Sequence, residues 1–235
     1  MNRRRFFLAG GTSLSALYLA ACNSEGPRTA QRLLRLAEHG NEHVERLLLR
    51  HSAMDHAPAS APDAGGAFPQ YYVSRSVPVW NEAVRGKWAL EVRGLVKQPL
   101  RLTLEELARM RSITQRVNHY CVEGWTAVAT WTGVRVSELA RVAGVQPDAA
   151  YVDFQSFDDD YHESWDLESA MHPQTIVAYG MDGHYLGAGH GAPARVHSPV
   201  KIGYKNTKYL TRVVFLPTRN GGYWSDQGYE WYGGV

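Results

Sequence analysis

The chain has 235 residues, a formal charge of +2 and 11% aromatic residues. That length suits one domain of ordinary size with a real core, and the near balance of charge offers no basic face, so no nucleic-acid partner is expected. The aromatics gather after Phe68, as in a folded, β-rich domain rather than a disordered chain.

Asn2-Arg3-Arg4-Arg5-Phe6-Phe7 opens the chain, followed by an apolar run from Phe6 to Ala21 that Gly10, Gly11, Thr12, Ser13 and Ser15 interrupt. The run is too short and too mild for a membrane-spanning helix. With its paired arginines it reads as a twin-arginine export signal, which places the body in the periplasm. Leu19-Ala20-Ala21-Cys22 resembles a bacterial lipoprotein box, making Cys22 a possible lipid anchor. The alternative is an ordinary leader with an incidental cysteine.

Residues 1–22 are thus expected to be a signal, 23–67 a helical segment with linker, and 68–235 the main domain. Leu33, Leu34, Leu36 and Ala37, then Val44, Leu47 and Leu48, recur at helical spacing with Gly40-Asn41 between them, which predicts two short amphipathic helices. His39 and His43 lie one turn apart, but no third ligand is near, so they read as solvated helix residues. Ala57 to Ala67, rich in Ala, Pro, Gly and Asp, reads as a linker.

In the body, Trp88 to Val96 alternates at period two and predicts a strand ending at Gln98-Pro99. Thr103-Leu104-Glu105-Glu106 is a capping box opening a short helix with Leu104 and Leu107 on its buried side. An extended run from Ile113 to Tyr120 delivers Cys121 to a loop. Trp131-Thr132-Gly133-Val134 is expected to turn the chain into a helix over Ser137 to Ala143, stopped by Gly144. Tyr151 to Ser156 reads as a strand, Asp158-Asp159-Asp160 as a solvated loop, and Asp166 as the cap of a helix running to Met171. Tyr209 to Leu216 is a further strand, and the aromatic tail after Gly221 is expected to pack across the body.

Val117-Asn118-His119-Tyr120-Cys121-Val122-Glu123-Gly124-Trp125 is the stretch around which the body is organised. Cys22 belongs to the leader, so Cys121 has no disulfide partner in an oxidising compartment. Three readings of the thiol stay open here: a metal ligand, a nucleophile working with His119, or a small buried hydrophobe. A thiolate is a soft anionic ligand and suits a metal already bound to sulfur. The nucleophile reading has no evident third residue to orient His119.

The run Pro99 to Leu107, then Cys121-Val122-Glu123-Gly124-Trp125, then Trp131-Thr132-Gly133, resembles the molybdopterin-binding domain of the sulfite oxidase family. It is most similar to the periplasmic branch that includes the catalytic subunit of methionine sulfoxide reductase. The likeness runs from about Trp88 to Phe215 and implies an α+β, mostly β mixed-sheet fold with short helices. It implies a molybdenum–molybdopterin cofactor, with Cys121 as metal ligand and Glu123 beside the metal as a catalytic proton relay. By the same resemblance Ser156 bonds the cofactor, and His190 and Arg195, in His190-Gly191-Ala192-Pro193-Ala194-Arg195, touch the pterin. An arginine fork is suited to such a two-bond grip. Lys205-Asn206-Thr207-Lys208 is similar to the family's phosphate loop. The amides of Asn206 and Thr207, with Lys208, would cradle the phosphate, and Lys205 would add charge nearby.

Departures from the family pattern bear on the reaction. Arginines that hold sulfite in relatives are replaced after the cysteine by Val122, Glu123, Gly124 and Trp125. The expectation is therefore oxygen-atom transfer with a neutral sulfoxide, small or protein-bound, rather than sulfite oxidation. The sequence has no haem motif, so a membrane cytochrome b or another electron-transfer protein is the implied partner. Tyr71 to Val79 departs most from relatives, leaving its contacts unassigned. The rivals are a sulfite-oxidising enzyme and a metal-free, lipid-anchored binding protein of the same fold.

Overall fold

Strand alternation builds two sheets, and their packing sets the site. A computed structural model describes residues 28–48, 68–158 and 160–235. The leader, Cys22 and the 57–67 linker lie outside the described residues. The chain divides into two compact units, Met1–Leu48 and Leu49–Val235.

In the first unit, α1 (Arg28–Leu48) is one continuous helix where two were expected. Gly40 costs an interior helix roughly 1 kcal/mol, too little to break it without a proline. Arg46 and Glu42 pair one turn apart at 2.8 Å, while Leu33, Leu36, Leu47 and Leu48 are exposed. No described helix is long and apolar enough to cross a membrane.

The second unit opens with a segment without regular structure from Phe68, then α2 (Glu82–Arg85). There follow β1 (Ala89–Gly94), β2 (Leu100–Thr103), α3 (Leu104–Arg109), β3 (Ser112–Tyr120) and β4 (Thr126–Arg135). After these come α4 (Val136–Ala143), β5 (Tyr151–Ser156), β6 (His162–Asp166), α5 (Leu167–Met171) and β7 (Ile176–Met181). The chain closes with β8 (His184–Tyr185), β9 (Arg195–His197) and β10 (Leu210–Leu216). One sheet has the order β2-β1-β10-β5-β6, with β1 and β10 parallel and its other neighbours antiparallel. The other runs β3-β4-β7-β8, with β9 also on β7.

Local signals explain most boundaries. The Thr103 hydroxyl accepts from Glu106 N at 3.2 Å while the Glu106 carboxylate accepts from Thr103 N at 2.8 Å, so the capping box starts α3. Asp166 Oδ2 accepts from Ser169 N at 2.8 Å and caps α5. Gly144 in the left-handed region ends α4. Strands β2, β6, β8 and β9 escaped the sequence reading, and Trp131 to Val134 lies inside β4 instead of turning. Gly133 explains the error: it fits there because a Cβ would meet Val177 O of the neighbouring β7 at 2.2 Å, a packing demand and not a turn.

The main core lies between the sheets, with Leu90, Val92, Val152, Phe154, Trp165, Val213 and Phe215 from one and Val134, Val177 and Val196 from the other. Leu139 and Ala143 of α4 close one side. Alternation on β7 sends Ile176 and Ala178 to the opposite face, where with Val117, Ala129 and Trp131 they form a smaller cluster under Phe68. Each large apolar side chain so buried contributes roughly 1.5–3 kcal/mol.

The edge of the first sheet carries a pH-dependent pair. His162 Nδ1 lies 2.9 Å from Asp153 Oδ1, and this hydrogen bond raises the imidazole above its ordinary value against partial burial. A raised folded value means stability that is present below about pH 6.5 and lost as pH rises through the folded value. Melting curves should therefore fall in midpoint between pH 6 and 8.5, with a flatter slope in His162→Gln. An equal slope in the variant would assign the effect elsewhere.

Candidate active site

Cys121 follows directly on β3, in the hairpin loop to β4. Its N–H donates to Trp125 O at 2.9 Å, Gly124 N returns to Cys121 O at 3.0 Å, and Gly124 takes the positive φ of 86° that the turn needs. The rim is thus set by local backbone bonds. The thiol is free, and burial, with the Glu123 carboxylate beside it, pushes it up from its ordinary value. Nucleophilic cysteines need the opposite shift, whereas a metal deprotonates the thiol it binds.

A cavity of about 380 Å³ opens beside this loop. Of the residues singled out from sequence, Cys121, Glu123, Ser156, Arg195, Asn206 and Lys208 line it. They arrive from the β3–β4 loop, the end of β5, the start of β9 and the loop before β10. Glu123 Oε2 accepts from Tyr71 OH at 2.7 Å and from Trp125 Nε1 at 3.2 Å, which fixes the carboxylate at the rim. Ser156 Oγ accepts from Asp158 N at 2.9 Å.

Two cations face the cavity without a carboxylate partner among the described residues. Arg195 is buried, with only long bonds to the carbonyls of His190 (3.3 Å), Asn206 (3.2 Å) and Val196 (3.4 Å), and its guanidinium lies 5.0 Å from the Trp131 ring centre. Burial lowers it to about 10. Lys208 Nζ donates to Tyr71 O at 2.7 Å and Gly189 O at 2.9 Å, and burial first, then Arg195, lower it to about 7. Buried charges are ordinarily paired, so these two cations call for an anion.

His190 and Thr207 stand just behind the wall. Each has a buried polar atom without a partner, His190 Nδ1 and Thr207 Oγ1. The amides of Asn206 and Thr207 are spent inside the loop, on Gly203 O and Lys205 O at 3.0 Å each, so the expected amide cradle is corrected. Lys205 is corrected too: its ammonium is buried away from the cavity, donating to Glu163 Oε2 at 2.6 Å and Ser164 O at 3.0 Å. The Asn206 side chain is likewise committed, accepting from Ser198 N at 2.6 Å and donating to Lys201 O at 2.9 Å.

Several cavity residues were not singled out from sequence. Tyr209, buried at the unusual φ of 56°, has a phenol with no partner that burial pushes well up. The tail does pack across the body, through buried Trp231 and Tyr232, but Trp224 and Tyr229 also form cavity wall. Tyr71 and Tyr72 come from the segment left unassigned, and Phe68 from just before it. Asp158 corrects the solvated-loop reading of Asp158-Asp159-Asp160: it is buried, its Oδ2 accepts from Val73 N at 2.9 Å, and its Oδ1 accepts from Ser74 N at 3.0 Å and from the Ser74 hydroxyl. Asp159 lies outside the described residues. Asp158→Ala should release this segment from the site, costing roughly 2–4 kcal/mol for lost charge-assisted bonds. Urea titration would measure the loss, and limited proteolysis should cut first within residues 68–79. Unchanged stability and cleavage would refute the tether.

This donor set fits a molybdopterin. A soft sulfur ligand and two uncompensated cations suited to a phosphate line one cavity, and the orphaned His190 Nδ1 and Thr207 Oγ1 stand behind its wall.

Comparisons with known proteins agree. The chain is 41% identical over 167 residues, 71% of its own length and 62% of the relative's, to a putative protein-methionine-sulfoxide reductase subunit YedZ1 from Azospira oryzae. It is 32% identical over 161 residues, 62% of this chain and 49% of the relative, to the protein-methionine-sulfoxide reductase catalytic subunit MsrP of Ralstonia nicotianae. The chain thus spans about half to three fifths of the length of these curated relatives. The sulfane dehydrogenase SoxCD of Paracoccus pantotrophus shares the fold, with a TM-score of 0.53 at 24% identity over 56% of this chain and 39% of that one. Residues 75–224 match the family described as the oxidoreductase molybdopterin binding domain, and the chain belongs to that family.

Proposed function

We propose that this protein is a periplasmic molybdenum-dependent oxidoreductase that reduces sulfoxides, including methionine sulfoxide in proteins. The observation that carries the reading is one cavity lined both by a free Cys121, at a rim of Glu123, Trp125 and Tyr71, and by two uncompensated cations, Arg195 and Lys208. The rim offers a carboxylate and indole, which suit a neutral sulfoxide and repel sulfite. The names of the relatives, methionine-sulfoxide reductase subunits, support the same substrate class.

In this reading Cys121 ligates the metal and Arg195 and Lys208 grip the phosphate. Ser156, His190, Asn206 and Thr207 line the pterin, the last through its side-chain oxygen. Lys205 acts at a distance by holding Glu163 and the tail. Molybdenum, when bound, supplies the two-electron exchange. The balance is one sulfoxide, two electrons and two protons to one sulfide and one water. Glu123, held by Tyr71 and Trp125, passes protons at the rim. The apolar walls Phe68, Trp125, Trp224 and Tyr229 exclude bulk water and receive the substrate's thioether groups. Electrons arrive from a membrane cytochrome b or another electron-transfer protein. The arginine-led leader supports export, and Cys22 a lipid anchor, which labelling with radioactive palmitate would test.

The deciding experiment is expression in a host that makes the cofactor, metal analysis, and reduction of methionine sulfoxide by a dithionite-reduced dye. About one molybdenum per chain and sulfoxide turnover are expected. Molybdenum with sulfite oxidation and no sulfoxide turnover would hand the site to the rival reaction, and metal-free protein would sink both.

A further inference from the structure

His119 and His197 form a buried pair to which the reading above gives no role. β3 places His119 two residues ahead of Cys121, and β9 places His197 two residues beyond Arg195. Their rings stack at 5.5 Å and 28°, with His119 Nδ1 3.4 Å from His197 Nε2. Both rings are buried. The contact between them needs one ring nitrogen as donor and the other as bare acceptor, and a ring that accepts through one nitrogen carries its proton on the other.

That leaves two arrangements. In one, His197 Nε2–H donates to His119 Nδ1, His197 Nδ1 is a bare lone pair, and the His119 proton sits on Nε2. In the other, His119 Nδ1–H donates, and the His197 proton sits on Nδ1. That Nδ1 is buried without a partner. The adjacent Trp131 ring, stacked on His197 at 4.2 Å, brings an indole N–H, and Arg195 brings donors only, so neither supplies an acceptor. Orphaned buried N–H groups are rarer than under-used acceptors. The first arrangement wins.

His119 Nε2 lines the cavity side and has no protein partner among the described residues. Gly203 locates it relative to the cysteine. The position a Cβ on residue 203 would occupy lies 3.1 Å from His119 Nε2 and 3.6 Å from Cys121 Cα, so the imidazole edge and the cysteine backbone flank one point. A side chain at 203 would fill the space this N–H faces.

We propose that His197 sets the tautomer of His119, so that His119 Nε2–H donates a hydrogen bond to the sulfoxide oxygen of the substrate at the Cys121 end of the cavity. This rests on the sulfoxide reading above. A sulfoxide oxygen is a strong acceptor and gains charge as its bond to sulfur breaks. The donor polarises that bond without giving up its proton, while sulfur gains the two electrons supplied from the dye or the electron-transfer protein and the oxygen leaves as water with two protons passed by Glu123. His197 is then a positioning residue, and the pair selects substrates that carry an oxygen on sulfur.

The test has two arms on the molybdenum-loaded protein. Nitrogen-15 NMR of histidine-labelled wild type should find the proton on Nε2 of both rings; a proton on His119 Nδ1 overturns the proposal whatever the substrate. His119→Phe should lower kcat/KM for a methionine sulfoxide peptide roughly tenfold, the size of one lost hydrogen bond, with molybdenum per chain unchanged. His119→Gln, which keeps an amide donor, should recover most of it. Molybdenum falling in step with activity in His119→Phe, or His119→Gln no better than His119→Phe, overturns the proposal. Loaded wild type inert toward sulfoxides overturns the function reading instead, and with it the substrate named here.

Discussion

Cys121→Ser should leave a folded protein without the molybdenum and the sulfoxide turnover proposed above. Serine matches cysteine in shape and the residue is half-buried on a loop, so the backbone bonds of the hairpin, Cys121 N to Trp125 O and Gly124 N to Cys121 O, need not change. What changes is softness: a hydroxyl is a poor ligand for a metal otherwise bound to sulfur. Outer-shell partners of metals typically cost about 10–100-fold when removed, and loss of the ligand itself should exceed that in both metal retention and turnover. Metal analysis and dye-linked assay would read it, with thermal melting as the control for folding. Retention of wild-type metal by the serine variant would remove Cys121 from the metal's coordination.

Lys205→Met should be strongly destabilising without removing a cofactor ligand. Glu163 is fully buried and accepts from Lys205 Nζ at 2.6 Å, Ser225 Oγ at 2.9 Å and Trp224 N at 3.0 Å. Removing the ammonium strands a carboxylate in the interior, which costs roughly 3–5 kcal/mol. The tail would suffer first, because Glu163 holds Trp224 and Ser225 while a second buried lysine, Lys201, reaches Asp166 at 3.1 Å and Tyr232 O at 2.6 Å. Urea titration would measure the loss, and Lys205→Met with Glu163→Leu should recover much of it. A phosphate-binding Lys205 predicts the reverse: stability kept and molybdenum lost.

These two residues show what each level of description resolves. Cys121 was legible because its signal is local: an extended run, a turn with Gly124, and a carboxylate and indole at fixed short offsets. The capping box at Thr103 and the Asp166 cap were legible for the same reason, since their hydrogen bonds span three residues. Lys205 was misread because a lysine in a loop beside Asn206 and Lys208 looks like a phosphate ligand until Glu163, some forty positions earlier, is brought to its Nζ. Asp158 looked like one of three solvated carboxylates for the same reason; its partners, Val73 and Ser74, are more than eighty positions away.

By itself, then, the sequence determined the solitary thiol and its loop, the family, the mixed α+β class and the short helices, each written in adjacent side chains. Only the tertiary structure decided which cations face the cavity and which are spent inside the protein. It also decided that an N-terminal segment and the aromatic tail form the walls, and that His197 stands behind His119. Short-range hydrogen bonds are fixed by spacing along the chain, whereas charge pairing and burial depend on which distant strands the sheets bring together.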